Sequence, residues 1–201
     1  NIASESGVAF YDEVGCLIVG PKRGGHDPYV GQVEAAAAQL GVSIEMLSDA
    51  ALKSRFRYFD FGSDCEGVYE QRNAGYVNPR RLVEAQSLLA EKAGARVIRQ
   101  TAVSVREEGG LAIVTTDDGA IYTAERVLIA AGGFSINENL LPRPIDLNVY
   151  ARTVAFFEIP DEDLAAYSGM PSLIHQPADP IDHIYLLPPV RYPDGKTYLK
   201  I

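Results

Sequence analysis

Ala124-Glu125-Arg126-Val127-Leu128-Ile129-Ala130-Ala131-Gly132-Gly133-Phe134-Ser135 is the stretch on which the fold turns. Val127 to Ala131 is a nearly continuous apolar run, with none of the alternation expected of a strand wetted on one face. Such a run predicts a parallel strand buried on both sides. It closes on two glycines, and that turn has two readings. Either the backbone comes close to a ligand at the carboxyl edge of an open α/β sheet, or the glycines only make a tight strand-to-helix turn.

Upstream, the pattern is a meander. Thr101 to Glu107, Leu111 to Thr116 and Ala120 to Ala124 predict three antiparallel strands, joined by Glu108-Gly109-Gly110 and Asp117-Asp118-Gly119, both with tight-turn chemistry. Before the meander, Arg80 to Lys92 predicts a helix, with Asn78 suited to its N-cap and Pro79 to its first turn. Gly94 ends that helix, and Arg96 to Arg99 predicts a short strand. Helix, strand, meander and buried strand together indicate a layered α/β fold.

The flanks read differently. Gly7 to Tyr11 and Gly15 to Gly20 predict a hairpin or two adjoining strands. Tyr29 to Leu40 predicts an alanine-rich helix closed by Gly41, and Glu45 to Phe56 a second, shorter helix. Tyr58 to Tyr69 predicts an irregular connection. Past Leu141, prolines interrupt the chain. Val149 to Ile159 predicts a long strand, and Ser172 to Gln176, Ile184 to Leu187 and Thr197 to Ile201 shorter ones. The expected architecture combines α/β and α+β features in three interleaved stretches. Residues 71–143 form a partial Rossmann-like lobe with the antiparallel meander. Residues 1–70 and 144–201 form the two parts of a β-rich lobe.

Bulk properties exclude several roles. The chain has 201 residues, 47% hydrophobic and 22% charged, with a net charge of -9. That charge argues against nucleic acid and against an anionic membrane surface, since both are held by clustered Lys and Arg. No apolar run approaches the roughly 20 residues that span a bilayer, and no signal peptide is visible at the start. Cys16 and Cys65 lie far apart with no CxxC spacing, so two buried thiols in a reducing cytoplasm are expected, a disulfide between them being the alternative, and no structural zinc site can be built from them. His175 and His183 flank Asp179 and Asp182 at a spacing that fits no standard metal-ligand pattern, and His26 is read as a solvated loop residue. The polar start at Asn1 and the strand breaking off at Ile201 are expected of a piece of a longer protein.

The ordered set resembles the flavin-binding domain of the D-amino-acid oxidase and sarcosine oxidase superfamily. The residues that carry the likeness are Gly75-Tyr76-Val77-Asn78-Pro79-Arg80-Arg81-Leu82-Val83, Gly94-Ala95-Arg96-Val97-Ile98, Thr101-Ala102-Val103, Val114-Thr115-Thr116-Asp117-Asp118-Gly119 and the run from Ala124 to Ser135. On the flanks, Glu5-Ser6-Gly7-Val8, Gly15 to Pro21, Val154-Ala155-Phe156-Phe157-Glu158 and Tyr198-Leu199-Lys200-Ile201 look like substrate-domain strands of that family. No single motif decides it; the order and spacing do.

The resemblance implies an enzyme that uses FAD to take a hydride equivalent from a carbon bearing an amine. Electrons then pass to oxygen or another acceptor, and the protein's part is to orient cofactor and substrate. It implies that Val103 meets the adenine through its backbone, and that Ala131, Gly132 and Gly133 lie against the adenosine and ribityl side. Lys200 matches a lysine that sits against the flavin ring and helps activate oxygen, since a fixed positive charge favours developing superoxide. A solvent-facing lysine on an alternating strand is the plain reading of the same residue. Substrate-binding candidates are Tyr185, His183 and Arg152, the last through a bidentate fork to a carboxylate. For Arg152 a surface ion pair is the plain alternative.

Two departures from the family stand out. Asp194-Gly195 implies a longer hairpin before Lys200. The family's carboxylate-binding tyrosine aligns with Leu186, with Tyr185 beside it. Adjacent strand residues face opposite sides, so either the register shifts by one or the substrate pocket differs. The GxGxxG strand–turn–helix that holds the FAD pyrophosphate in the family does not occur among these residues, nor does the portion that covers the flavin ring. The 201 residues alone are therefore expected to bind FAD weakly and to be inactive, with exposed sheet edges that favour self-association. Two other readings are a flavin-free relative acting as a binding or partner subunit, and an FAD oxidoreductase acting on hydroxy acids or glycerol phosphate.

Overall fold

Along Cys16–Pro21 (β2), Leu17 and Val19 are fully buried while Cys16 and Ile18 are only partly so, and this alternation organises the larger sheet. The computed structural model describes residues 1–137 and 139–201. They divide into two units, Asn1–Leu89 with Val154–Ile201, and Ala90–Thr153. No helix among the described residues is long and apolar enough to cross a membrane.

The first unit begins with a short capped helix, Ile2–Ser6 (α1), followed by the two-residue strand Tyr11–Asp12 (β1). Tyr29–Leu40 (α2) ends as expected at Gly41, which takes the left-handed conformation. Glu45–Ser48 (β3), Asp49–Arg55 (α3), Cys65–Glu70 (β4) and Tyr76–Val77 (β5) follow, and Pro79–Lys92 (α4) leads out of the unit. After the second unit the chain returns with Phe156–Glu158 (β9), Ser172–His175 (β10), Ile184–Arg191 (β11) and Thr197–Lys200 (β12). Seven of these strands form one mixed sheet, in the order β3-β4-β2-β10-β11-β12-β9, with β10 parallel to β2 and every other pair antiparallel.

One face of this sheet carries Leu17, Val19, Leu47, Cys65, Tyr69, Leu173 and Leu186, which pack with Leu52 of α3 and Phe56. Gly67 lies on that face because a Cβ there would meet the Leu52 side chain at 2.8 Å. At the opposite face α2 lies over β2, where Val30 approaches Gly20. Burial pushes the His175 imidazole below its ordinary value, with nearby His183 adding to the shift. His175 packs against the Phe61 ring. The thiol of Cys65 is pushed up to about 11 by burial and by its contact with the Asp49 carboxylate.

The second unit holds the meander Ala102–Glu108 (β6), Leu111–Thr116 (β7) and Ile121–Ala124 (β8), paired in the order β6-β7-β8 as the sequence predicts. Asp118 closes the second turn, accepting hydrogen bonds from the Thr116 hydroxyl and the Ala120 N–H. The α4 cap also forms as expected: the Asn78 side chain accepts from the N–H groups of Arg80 and Arg81, each at 3.2 Å. Replacing Asn78 with alanine is expected to lower stability by about 1 kcal/mol, read as a shift in the urea midpoint.

Several expected elements are corrected. Glu45 to Phe56 is not one helix. The Ser48 hydroxyl caps Ala51 N–H, so the helix starts at Asp49, and Glu45–Ser48 pairs with β4 instead. The connection Tyr58 to Tyr69 includes all but the last residue of β4, a strand lying between β3 and β2. Gly7 to Phe10 forms no strand, and β1 pairs with β5 rather than with β2. A Cβ on Gly75 would collide with the Asp12 carbonyl oxygen, so this pairing depends on glycine. Val149 to Ile159 yields only β9.

The largest correction concerns the apolar run before Gly132-Gly133. Arg126 to Ala131 and Arg96 to Arg99 form no ladder, and Leu128 is 90% exposed. A strand exists only through the hydrogen bonds of a neighbour. No described segment pairs with either stretch, so local apolarity alone does not make them strands.

Candidate functional site

Lys200 and Tyr185 share one face of the seven-stranded sheet. Lys200 lies opposite Leu187 of β11, and Tyr185 is two residues before Leu187, so the strand alternation puts both side chains on that face. The Lys200 ammonium lies 5.9 Å from the centre of the Tyr185 ring, within cation–π range. Leu186 points the other way, into the buried cluster. Of the two adjacent residues, Tyr185 is therefore the one that meets Lys200.

Across the other edge of β12, Lys200 lies opposite Phe156 of β9. Among the described residues Lys200 forms no ion pair: the carboxylate on β9, Glu158, is held by Lys196 at 2.6 Å. That contact holds the Lys196 ammonium above its ordinary value. The lysine is thus flanked by Leu187, Tyr185 and Phe156, with its charge uncompensated. Sequence reasoning does not single out Phe156. Its adjacency to Phe157 hides which of the two rings shares the Lys200 face.

The other substrate candidates lie elsewhere. His183 is exposed, just before β11, two residues from Tyr185. Arg152 is exposed in a stretch of the second unit that is neither helix nor strand. Among the described residues no group of three or more His, Cys, Asp or Glu is placed to hold a metal ion.

The four residues expected near a cofactor's adenosine side belong to the second unit. Val103 is the extra residue of a β-bulge: Ala102 faces Thr116 and Ser104 faces Thr115, leaving Val103 with no opposite number. A bulge takes the backbone of one residue out of the regular ladder, as a contact to a ring edge would need. Ala131 precedes a short 3-10 turn at Gly132–Ile136. Gly132 has φ 53, and nothing lies within 4 Å of where its Cβ would be. At Gly133 a Cβ would make only ordinary contact with Val149. Internal packing therefore does not account for the second glycine, and open space at the turn fits a close-lying ligand. A separate cleft of about 330 Å³ lies between β6–β7 and residues 125–129, lined by Val105, Leu111, Val127, Ile129 and Pro142 among others. None of the four cofactor candidates lines it.

Comparison with known proteins extends over nearly all of the chain. Residues 1–200 match the family described as FAD dependent oxidoreductase. Monomeric sarcosine oxidase of Arthrobacter sp. (strain TE1826) is 23% identical over 177 residues, covering 87% of this chain and 44% of that protein. Monomeric sarcosine oxidase of Bacillus sp. (strain NS-129) is 28% identical over 175 residues, covering 84% and 42%. Among solved structures, NikD, described as an unusual amino acid oxidase essential for nikkomycin biosynthesis, superposes with a TM-score of 0.69 at 20% identity. It covers 99% of this chain and 51% of NikD. That likeness establishes the fold. The chain spans somewhat under half the length of the curated relatives it matches.

Proposed function

The chain belongs to the FAD-dependent oxidoreductase family, and from that premise we propose that the full-length protein oxidises the C–N bond of an amine or N-methyl amino acid and passes the electrons to oxygen. The observation that carries this reading is the uncompensated Lys200 ammonium beside Tyr185 on one face of the sheet. Bound FAD supplies acceptance of the electron pair from the substrate carbon.

The chain's own residues then divide the work. The backbone of Val103 at its bulge and the open turn Ala131-Gly132-Gly133 would hold the adenosine and ribityl side. Lys200 would present a fixed positive charge to oxygen as negative charge develops on it, and a charge already in place costs no reorganisation at that moment. The Tyr185 hydroxyl would donate to a substrate carboxylate, with His183 two residues before it as a second polar group. Two free cysteines support a cytoplasmic setting. Exposed, unpaired apolar segments such as the one at Leu128 support self-association of the 201-residue chain by itself.

The test is the visible spectrum of the full-length gene product. A flavin band that bleaches anaerobically on adding N-methyl amino acids, with no response to hydroxy acids, is the expected outcome. A purified protein that retains no flavin after incubation with excess FAD overturns the enzyme reading in favour of a non-catalytic subunit. Bleaching by hydroxy acids alone would replace the amine with an alcohol as substrate.

A further inference from the structure

We propose that the aromatic cluster Phe156–Tyr192–Tyr198 is a positioning device for Lys200, an inference that rests on the oxygen-using reading above. The three rings meet edge to face, with centroids 5.3 Å apart for Phe156–Tyr192, 5.8 Å for Phe156–Tyr198 and 5.5 Å for Tyr192–Tyr198. Two of them share the Lys200 face: Tyr198 is two residues before Lys200 on β12, and Phe156 is its direct partner on β9. Tyr192 comes from the β11–β12 hairpin, whose Asp194-Gly195 turn brings its ring onto the other two.

The hairpin is tied down at several points. The Tyr198 hydroxyl donates to Asp194 at 2.8 Å, and Asp194 also accepts from the Lys196 N–H at 3.0 Å. The Tyr192 N–H donates to the Lys196 carbonyl at 2.8 Å. Lys196 in turn pairs with Glu158 on β9. Strand β9 has three residues and sits at the edge of the sheet, and the Lys196–Glu158 pair adds to the ladder that joins it to β12.

A lysine side chain has four rotatable bonds and many rotamers of similar energy. A bulky ring held on the β9 side removes the rotamers that would swing the ammonium toward the sheet edge. Those that remain keep it over Tyr185, on the β11 side. A cluster serving only to stabilise the edge hairpin would produce the same ring contacts. Cutting the cluster separates the two roles, because only a positioning cluster would let the charge wander in a protein that stays folded.

The test uses the full-length flavoprotein as wild type, Tyr192→Ala, Phe156→Leu and Tyr192→Phe. Flavin is reduced chemically with dithionite and then mixed with oxygen, so that no amine substrate is needed. In the reaction followed, two electrons and two protons leave the reduced flavin and O₂ becomes hydrogen peroxide. Reoxidation is expected to slow by about tenfold in Tyr192→Ala and Phe156→Leu, because a misplaced charge stabilises less of what develops on oxygen. Tyr192→Phe keeps the ring and should reoxidise like wild type.

A second readout needs no turnover: the ε-methylene NMR signal of Lys200 in lysine-labelled protein. It is expected to be shifted by the Tyr185 ring current in wild type and Tyr192→Phe, and to move toward the value of exposed lysines in the other two. Unchanged reoxidation and an unmoved signal in folded, flavin-loaded Phe156→Leu would overturn the proposal. So would a wild-type reduced flavin that oxygen does not reoxidise. Failure of amines to bleach the flavin strikes instead at the proposed substrate, and leaves this result standing by itself.

Discussion

Replacing Lys200 with methionine is expected to slow reoxidation of the reduced flavin by oxygen by about 10²–10³-fold in the full-length protein, while substrate-driven flavin reduction changes by less than about threefold. Methionine keeps the unbranched apolar stem of lysine and removes the charged head, so the packing between Leu187 and Phe156 should survive. The size of the effect follows from where the charge sits. It has no carboxylate partner among the described residues, since Glu158 is already held by Lys196. Its full field is then available to the reacting oxygen, whereas an ion-paired lysine would lose little on removal. Stopped-flow traces of the two half-reactions, measured separately, decide the matter. Equal losses in both would mean that Lys200 helps bind substrate or flavin, and no loss in either would return it to the role of a surface lysine.

The second large effect concerns stability. Leu17→Ala should destabilise the first unit by about 2–5 kcal/mol. Leu17 is fully buried in the centre of the seven-stranded sheet, between β4 and β10, and lies in one cluster with Leu52, Phe56, Tyr69 and Leu173. Its Cδ1 approaches Gly67, where no side chain is available to fill the void. Neighbouring strands fix the backbone on both sides, so collapse into the cavity is limited. Urea unfolding of wild type and variant, followed by far-UV circular dichroism, gives the number. A loss below about 1 kcal/mol would mean that α3 and the Phe56 segment repack more freely than a close-packed core allows.

Legibility in the sequence tracks the range of the interactions involved. The α4 helix can be read because Asn78 caps N–H groups two and three residues on. The meander can be read because its turns close within a few residues, through Asp118 and the left-handed Gly109, Gly110 and Gly119. By contrast, β4 reads as irregular because its pairing with β2 and β3 is long-range and its Gly67 looks like a breaker. That glycine is there to admit Leu52. The candidate site divides in the same way. Lys200 can be named from its strand and the family resemblance. Phe156, Tyr192 and Tyr198 cannot be joined to it, because they meet only when β9 and the hairpin flank β12.

The apolar run closing at Gly132-Gly133 shows where the boundary lies. The sequence by itself determined that residues 126–131 are competent to form a buried strand and that a glycine turn comes after them, and its ordered set of elements resembles that of flavin-dependent oxidoreductases. These depend on composition and order along the chain, which are present before any contact forms. Only the tertiary structure decided that the run has no ladder partner among the described residues, and that Tyr185 rather than Leu186 faces Lys200. Strand pairing and strand register are properties of two segments at once. A shift of one residue reverses every side chain, and nothing within a single strand records which register its neighbour will choose.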